Sequence, residues 1–373
     1  MSDSRCISGV RQTQFPLTGT LENMTSTFSW ADVLERLLAG GNLSVAEATS
    51  AMDQIIGGHA TDAQLSAFLI ALRAKGETVD EVIGFRNAVL AHAVPLQVSS
   101  RALDIVGTGG DKHRTVNVST AASIVCASLG VPVLKHGNRA ASSASGSSDV
   151  LAELGVSLDA APERVASTFE QLGIGFAFAA AFHPGFKHAA AVRSQLGVPT
   201  IFNILGPLCN PARPEASAVG VASAARIPLI VGVFQSRDAN ALVFRGDNGL
   251  DELSTCGHSR IWEVSRGSVV EHDFDPAEIG IPTASMDDIR GGSPAENADT
   301  IRRLFAGETG PVRDIVALNA AAGLVAFDLI DNAAATDIAL RTRLKDAFDL
   351  ACDAIENGAA AAKLDAWAAA TQA

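Results

Sequence analysis

Between residues 29 and 93, apolar positions recur at helical spacing and the breaks between runs are well marked. Ser44 with Glu47, Thr61 with Gln64 and Thr78 with Glu81 each place a hydroxyl three residues before a carboxyl or amide. In that pattern the two side chains satisfy each other's free backbone N–H groups at a helix start. Gly40-Gly41, Gly57-Gly58 and Gly76 supply the stops. The pattern predicts four short amphipathic helices, each too short to be stable alone. A small helical domain is therefore expected over 29–97, joined by helices from about 183–200 further along the chain.

From residue 102 the period changes. ALDIV, VPVLK, IGFAFA, SAVGV and NALVFRG are short apolar runs, separated by helix-like segments such as TAASIVCASLG and PERVASTFEQLG. This alternation predicts an α/β domain over 98–373, a mostly parallel sheet covered by helices. Residues 258–273 read as a hairpin and 300–371 as three Ala-rich helices. No internal repeat is present. In an open α/β sheet the ligand lies beyond the carboxyl ends of the strands, so the polar loops after the strands are where chemistry is expected.

Composition narrows the class. A chain that is 47% hydrophobic and 18% charged reads as a soluble globular protein, and without any Tyr its core must be aliphatic. The net charge of −13 disfavours nucleic acid and anionic membrane as partners. Cys6, Cys126, Cys209, Cys256 and Cys352 are scattered, with no C-x-x-C pair, which fits idle thiols in a reducing cytoplasm. No apolar run is long enough to span a membrane. Residues 1–28 have neither the apolar stretch of a signal peptide nor a helical period, and are expected to be a disordered leader in which Met24 is a candidate start.

Three loops carry candidate chemistry. After ALDIV comes GTGGDKHRTVNVSTAAS, where Gly107, Gly109 and Gly110 permit positive φ and close approach of backbone N–H groups to an anion. Asn117, Ser119 and Thr120 then open a helix whose N-terminus carries free donors. It is neither a Walker loop nor a dinucleotide fingerprint, and taken alone it is compatible with a plain strand–turn–helix connection. After VPVLK comes KHGNRAASSASGSSD, with the cations Lys135 and Arg139, the amide of Asn138 and the hydroxyls of Ser142, Ser143, Ser145 and Ser147. Two anion-binding loops on successive strands imply a ligand with two separate phosphate groups. After NALVFRG, Asp251 and Glu252 are adjacent on a turn, where two carboxylates can share one Mg²⁺ water shell. A solvated acidic turn is the alternative.

Together GTGGD, NVST, KHGNR, SGSSD, the segment HPGFKHAAAVRSQLGVPTIFNILGPLCNP and GLDE resemble the anthranilate phosphoribosyltransferase family, in order and spacing over roughly residues 30–371. The resemblance implies a helical domain hinged to an α/β domain, with dimerisation through the helical part. It implies transfer of the phosphoribosyl group of 5-phosphoribosyl 1-diphosphate to anthranilate, the second step of tryptophan synthesis, with two Mg²⁺ ions. By motif, Gly107, Gly110, Asp111, Thr115, Asn117, Val118, Ser119 and Thr120 would bind the phosphoribosyl diphosphate. Lys135, His136, Gly137, Asn138, Arg139, Ala140, Ala141, Ser142, Ser143 and Ser147 would complete that pocket. Ser119, Asp251 and Glu252 would hold metal. Gly107, Asn138 and Arg193 would hold anthranilate, whose carboxylate suits a guanidinium fork.

The chain departs from the family pattern at Lys112-His113-Arg114, at Ala144 and at Pro199. Pyrimidine nucleoside phosphorylases share the architecture, and nucleic-acid-binding paralogues keep the fold without the activity. VRSQLG and FNILGPLCNP favour the transferase over the first, and the acidic balance with an intact Asp251-Glu252 pair argues against the second. His183 and His188 are five apart, the wrong spacing for two ligands on one helix face, so no zinc site is expected. His183 either borders the anthranilate pocket or serves a helix start. An aniline nitrogen already has a free lone pair, so no strong general base is expected. Displacement at C1 of ribose should be dissociative and assisted by metal on the leaving diphosphate.

Overall fold

A computed structural model describes residues 28–139 and 145–372. The expected helices come first: α1 (Trp30–Leu38), α2 (Val45–Ile56), α3 (Asp62–Lys75) and α4 (Val79–Ala91). The capping boxes at Ser44, Thr61 and Thr78 all form, each with the reciprocal pair of bonds. The chain then enters β1 (Leu103–Gly107), α5 (Val118–Ser128), β2 (Val133–Gly137), α6 (Ser147–Glu153), α7 (Pro162–Leu172) and β3 (Ile174–Phe178). Three helices follow, α8 (Ala179–Phe182), α9 (Lys187–Leu196) and α10 (Phe202–Leu205). After them come β4 (Ala216–Gly220), α11 (Ile227–Ser236), β5 (Asn240–Gly246), β6 (Ser259–Ser265) and β7 (Ser268–Phe274). The chain closes with α12 (Pro294–Phe305), α13 (Pro311–Asp328), α14 (Leu340–Glu356) and α15 (Ala359–Gln372). The tail expected as three helices from 300 thus holds α13 to α15 and the end of α12, which starts earlier because Ser293 and Glu296 form a further capping box before Pro294.

The sheet has the order β3-β2-β1-β4-β5-β6-β7, with β1 to β5 parallel and β6 and β7 antiparallel. Its strand order reverses between β1 and β4, which makes that junction the topological switch point. Side chains alternate between two cores. Ala216, Ala218, Leu242 and Phe244 face α5 and α13 to α15. Val219, Ala241 and Val243 face α11 and the helical bundle, and Ala189 and Val192 of α9 belong to that same core.

The sheet has one irregularity, between its first two strands. β1 pairs with β4 over five residue pairs, and β2 pairs likewise with β3, but β1 and β2 meet in register only at Leu103 and Val133. Beyond that point polar side chains replace the ladder. Asp104 Oδ1 accepts the His136 backbone N–H at 3.1 Å, and Asn210 Nδ2 donates to Asp104 Oδ2 and to the Leu134 carbonyl at 3.0 and 2.7 Å. Lys135 Nζ donates to the Ile105 carbonyl at 2.5 Å. The sheet opens toward its carboxyl end, and these groups satisfy the backbone that the opening exposes.

Candidate active site

β1, β2, β4 and β5 each end in glycine, at Gly107, Gly137, Gly220 and Gly246. None of these takes a positive φ; the reason is space. A Cβ on Gly107 would run into the Asp251 carboxyl, one on Gly220 into the Asp251 backbone carbonyl, and one on Gly137 into Ser147 Oγ. The turn after β5 therefore folds back over the ends of β1 and β4 and sets Asp251 at the switch point. The conformational role expected of Gly107 is thus corrected to a steric one. Gly109 and Gly110 do adopt positive φ, 67° and 85°.

Asp251 Oδ2 accepts the Gly109 backbone N–H at 2.6 Å, which binds the acidic turn to the glycine loop. Burial, and then the neighbouring Asp111 carboxyl, push Asp251 up to about 7. Burial and the adjacent Asp251 raise Glu252 well above the usual carboxylate range, with the Lys135 ammonium opposing. Crowded carboxyls of this kind are strained until a cation neutralises them. Oxygen donors of this hardness suit Mg²⁺, which takes one or two carboxylates and completes its shell with water and phosphate oxygens. Among the described residues no group of three or more His, Cys, Asp or Glu is placed to hold a metal ion. Lys135 is buried rather than reaching into solvent; besides the Ile105 carbonyl it donates to Ser119 Oγ at 3.1 Å. Its charge thus acts from beneath the acidic turn, whereas the sequence pointed to direct phosphate contact.

Asn117 precedes α5 but does not cap it. Its Nδ2 donates to the Ser145 carbonyl at 3.2 Å, and its Oδ1 accepts from Asn297 Nδ2 at 2.8 Å and from Ser145 Oγ at 3.2 Å. The first turn of α5 is itself engaged: the Val118 N–H donates to the Val116 carbonyl at 2.7 Å, the Thr120 N–H to the Asn117 carbonyl at 3.2 Å, and the Ser119 N–H bonds the Glu252 carboxyl. Thr115 is held by a bridge to Arg290, Val118 is buried, and the Thr120 hydroxyl is buried without a partner among the described residues. The Asn138 backbone carbonyl accepts from Ser147 Oγ at 3.3 Å, and Asn138 Oδ1 accepts the Arg139 N–H at 2.8 Å.

A run of rings leads away from these loops. His136 and His183 meet edge to face at 5.1 Å, His183 stacks on Phe186 at 5.3 Å, and Phe186 meets Phe202 at 5.6 Å. Arg193 closes the run with its guanidinium 4.9 Å from the Phe202 ring centre. Burial pushes His136 down to about 3 and His183 to about 4, so both rings are neutral near pH 7. His136 Nδ1 is bonded to the Gly206 carbonyl and His183 Nε2 to that of Cys209, whereas His136 Nε2 and His183 Nδ1 are buried without partners among the described residues. Arg193 is half-buried and forms no ion pair among the described residues. A cavity of about 830 Å³ lies elsewhere, between α11 and the β6–β7 hairpin, and shares with this site only the strand that leads into the acidic turn.

Comparison with known proteins agrees with this geometry. Residues 31–93 match the helical bundle domain of a glycosyl transferase family, and residues 99–361 match its a/b domain. The anthranilate phosphoribosyltransferase of Leifsonia xyli subsp. xyli is 64% identical over 94% of this chain and 100% of its own length. The chain belongs to the anthranilate phosphoribosyltransferase family. The crystal structure of the family enzyme from Thermus thermophilus superposes with a TM-score of 0.84 at 40% identity, covering 92% of this chain and 100% of that one. The Saccharomyces cerevisiae enzyme in complex with PRPP and Mg gives a TM-score of 0.81 at 25% identity, covering 92% of this chain and 98% of that one.

Of the residues the family motifs single out, Gly107, Asp111, Asn117, Ser119, Asp251 and Glu252 gather around the ends of β1 and β4. His136, Gly137, Asn138, Arg139 and Ser147 lie at the end of β2 and the start of α6. Ala140, Ala141, Ser142 and Ser143 lie outside the described residues, as does the leader up to residue 27. Sequence reasoning missed Asp104, Asn210 and Asn297. A buried acid at the second position of a strand was the one available signal for Asp104; Asn297 sits inside an ordinary helix pattern and gave none. Phe186 and Phe202 stand within the family motifs, but only the fold reveals that they line up.

Proposed function

We propose that the chain transfers the 5-phosphoribosyl group of 5-phosphoribosyl 1-diphosphate to the amine of anthranilate, releasing diphosphate, as the second step of tryptophan synthesis. The observation that carries this reading is Asp251 held over the switch point, one bond from Gly109 and with Glu252 against the first turn of α5. Such a site suits a ligand bearing a diphosphate at one end and a monophosphate at the other. Gly107, Gly110, Asp111, Thr115 and the segment Asn117 to Thr120 would grip one phosphate group, and His136 to Ser143 with Ser147 the rest, with the buried Lys135 acting on the site through Ser119 and the acidic turn.

Asp251, Glu252 and Ser119 would hold Mg²⁺, two ions by family resemblance, which when bound supply positive charge to the departing diphosphate. The protein's own residues do the positioning. The Ser119 hydroxyl is oriented by Lys135, and the Asn117 side chain is turned aside by Ser145 and Asn297. Neutral His136 and His183 rings add no cation that would repel a developing oxocarbenium centre at C1. They also supply no charged acid–base pair, in line with a displacement that needs none.

Anthranilate would lie along the ring wall with Arg193 on its carboxylate and Asn138 and Gly107 near the reacting end. This favours the aromatic acid over the pyrimidine of a nucleoside phosphorylase, since an unpaired half-buried guanidinium asks for an anion. Leu38 and Ile70 on the helical bundle and Val198 just past α9 are exposed at 73%, 43% and 42%, and fit burial in a homodimer. No helix among the described residues is long and apolar enough to cross a membrane. The free thiols of Cys126, Cys209, Cys256 and Cys352 suit a cytoplasmic setting. The test is direct: anthranilate fluorescence should fall on addition of phosphoribosyl diphosphate and Mg²⁺, with stoichiometric diphosphate. Release of a nucleobase from a pyrimidine nucleoside instead would overturn the reading.

A further inference from the structure

At the opposite end of the sheet, three arginines converge where the helical bundle meets the amino ends of β4 and β5. Arg86 comes from α4, Arg213 from the loop before β4, and Arg237 from the turn between α11 and β5; they line one narrow cleft with Asn210 and Ser217. In a chain of net charge −13 this is an unexpected concentration of like charge. None of the three forms an ion pair among the described residues. Arg86 Nε donates to the Leu208 carbonyl at 2.9 Å, and the Arg237 guanidinium lies 5.5 Å from the Phe234 ring centre. Those contacts leave most of the guanidinium donors and all of the charge uncompensated. Burial, and then Arg86, push Arg237 down to about 10; burial likewise lowers Arg86. Arg213 is moreover held at φ 53°, a left-handed conformation that an L side chain rarely adopts. Strained backbone beside unpaired charge is a pattern that persists when the surroundings, or a ligand, over-determine it.

We propose that Arg86, Arg213 and Arg237 form a binding site for a small tetrahedral oxyanion, of the phosphate or sulfate class, that ties the helical bundle to the α/β sheet. Planar guanidinium forks match the oxygen spacing of such an anion; as packed here the cleft has no room for even a water molecule, so the ion enters only as a guanidinium gives way. Arg213 is exposed, so its side chain can swing to admit the ion. The site is separate from the phosphate loops, which lie at the carboxyl ends of the strands. Asn210 links the two ends, since it lines the cleft and also bonds Asp104 in the β1–β2 opening.

Thermal unfolding of the full chain in sodium sulfate and in sodium chloride of equal ionic strength tests this, with wild type, Arg237→Met and Arg213→Gln side by side. Sulfate stabilises proteins generally by exclusion from their surface, and it can also occupy the catalytic loops; both effects are common to all three proteins and cancel in the comparison. The wild type is expected to gain about 2–4 °C more from sulfate than the variants do, saturably. Arg213→Gln removes an exposed side chain and keeps the comparison available if Arg237→Met does not fold. Equal sulfate increments in all three proteins would overturn the site. Transfer activity measured on Arg213→Gln stays near that of wild type, so a failure here leaves the transferase reading standing, and a failure of that reading leaves the sulfate comparison intact.

Discussion

The Gly109 backbone N–H donates to Asp251 Oδ2 across 142 residues of sequence, so the glycine loop and the acidic turn are one mechanical unit. Asp251→Asn keeps an oxygen for that bond and removes the charge. Together with Glu252→Gln it is expected to lower transfer activity by about 10²-fold or more, the scale of losing a preorganised electrostatic group. The response of activity to Mg²⁺ should vanish with it. Both acids are raised by burial and by a neighbouring carboxyl, Asp111 for Asp251 and Asp251 for Glu252, so the midpoint of unfolding in EDTA should not drop below that of wild type. A Mg²⁺ titration of activity beside a thermal scan decides both points; wild-type activity in the double variant would remove these residues from the metal site.

Two glycines near that bond should fail differently. At Gly109 an added Cβ meets nothing within 4 Å but must accept φ 67°. Gly109→Ala should therefore fold, lose about 1–2 kcal/mol to left-handed strain, and bind phosphoribosyl diphosphate more weakly. At Gly220 the Cβ would land on the Asp251 backbone. Gly220→Ala should displace the acidic turn, losing roughly 1–3 kcal/mol or more as overpacking does, along with most of the activity. Denaturant unfolding and calorimetric titration separate the two.

Arg193 ends the ring wall with no acid to pair with among the described residues. If it holds the carboxylate of anthranilate, Arg193→Ala should weaken that contact by about 2 kcal/mol, the low end for truncating a buried charged partner, because the side chain is only half-buried. The loss should appear as a raised KM for anthranilate with that for phosphoribosyl diphosphate little changed. Arg193→Lys should restore only part, since an ammonium lacks the two-pronged geometry. Steady-state kinetics in both substrates provide the check, and unchanged constants for both variants would move the acceptor site elsewhere.

Asp104 offers a pH test. Burial raises it from 3.8 to about 6. A group raised in the folded state contributes stability that is complete below its unfolded value and is lost as pH climbs through the folded one. An amide does not titrate. The destabilisation caused by Asp104→Asn should therefore be about 1.4 kcal/mol smaller at about pH 8 than at about pH 5. Denaturant unfolding at the two pH values measures it; a pH-independent difference would mean that Asp104 ionises as in the unfolded chain.

Much of this architecture was written in local pattern. The capping boxes at Ser44, Thr61 and Thr78 work through residues three apart, and each formed as read. The short apolar runs announced β1 to β5 because parallel strands are buried on both faces. What escaped depends on contacts far apart in the chain. Asn117 looks like a helix cap, and only the approach of Ser145 and of Asn297, 180 residues away, turns it from that task. Lys135 reads as a cation facing phosphate, yet the separation of β1 from β2 draws it inward. Gly107 reads as a point of conformational freedom, whereas the space is claimed by the turn at Asp251, far along the chain. Local chemistry could not foresee any of these.

The single register pair between β1 and β2 also bears on how this sheet can change. Where strands are joined by backbone ladders, cohesion is indifferent to sequence, and substitutions trim it slightly. Here cohesion near the carboxyl end is delegated to Asp104, Asn210 and Lys135. The width of the gap is therefore heritable in a way that a ladder is not. Single substitutions at those three positions can retune it, and amide exchange at His136, whose proton rests on a side chain rather than a strand, will report the result.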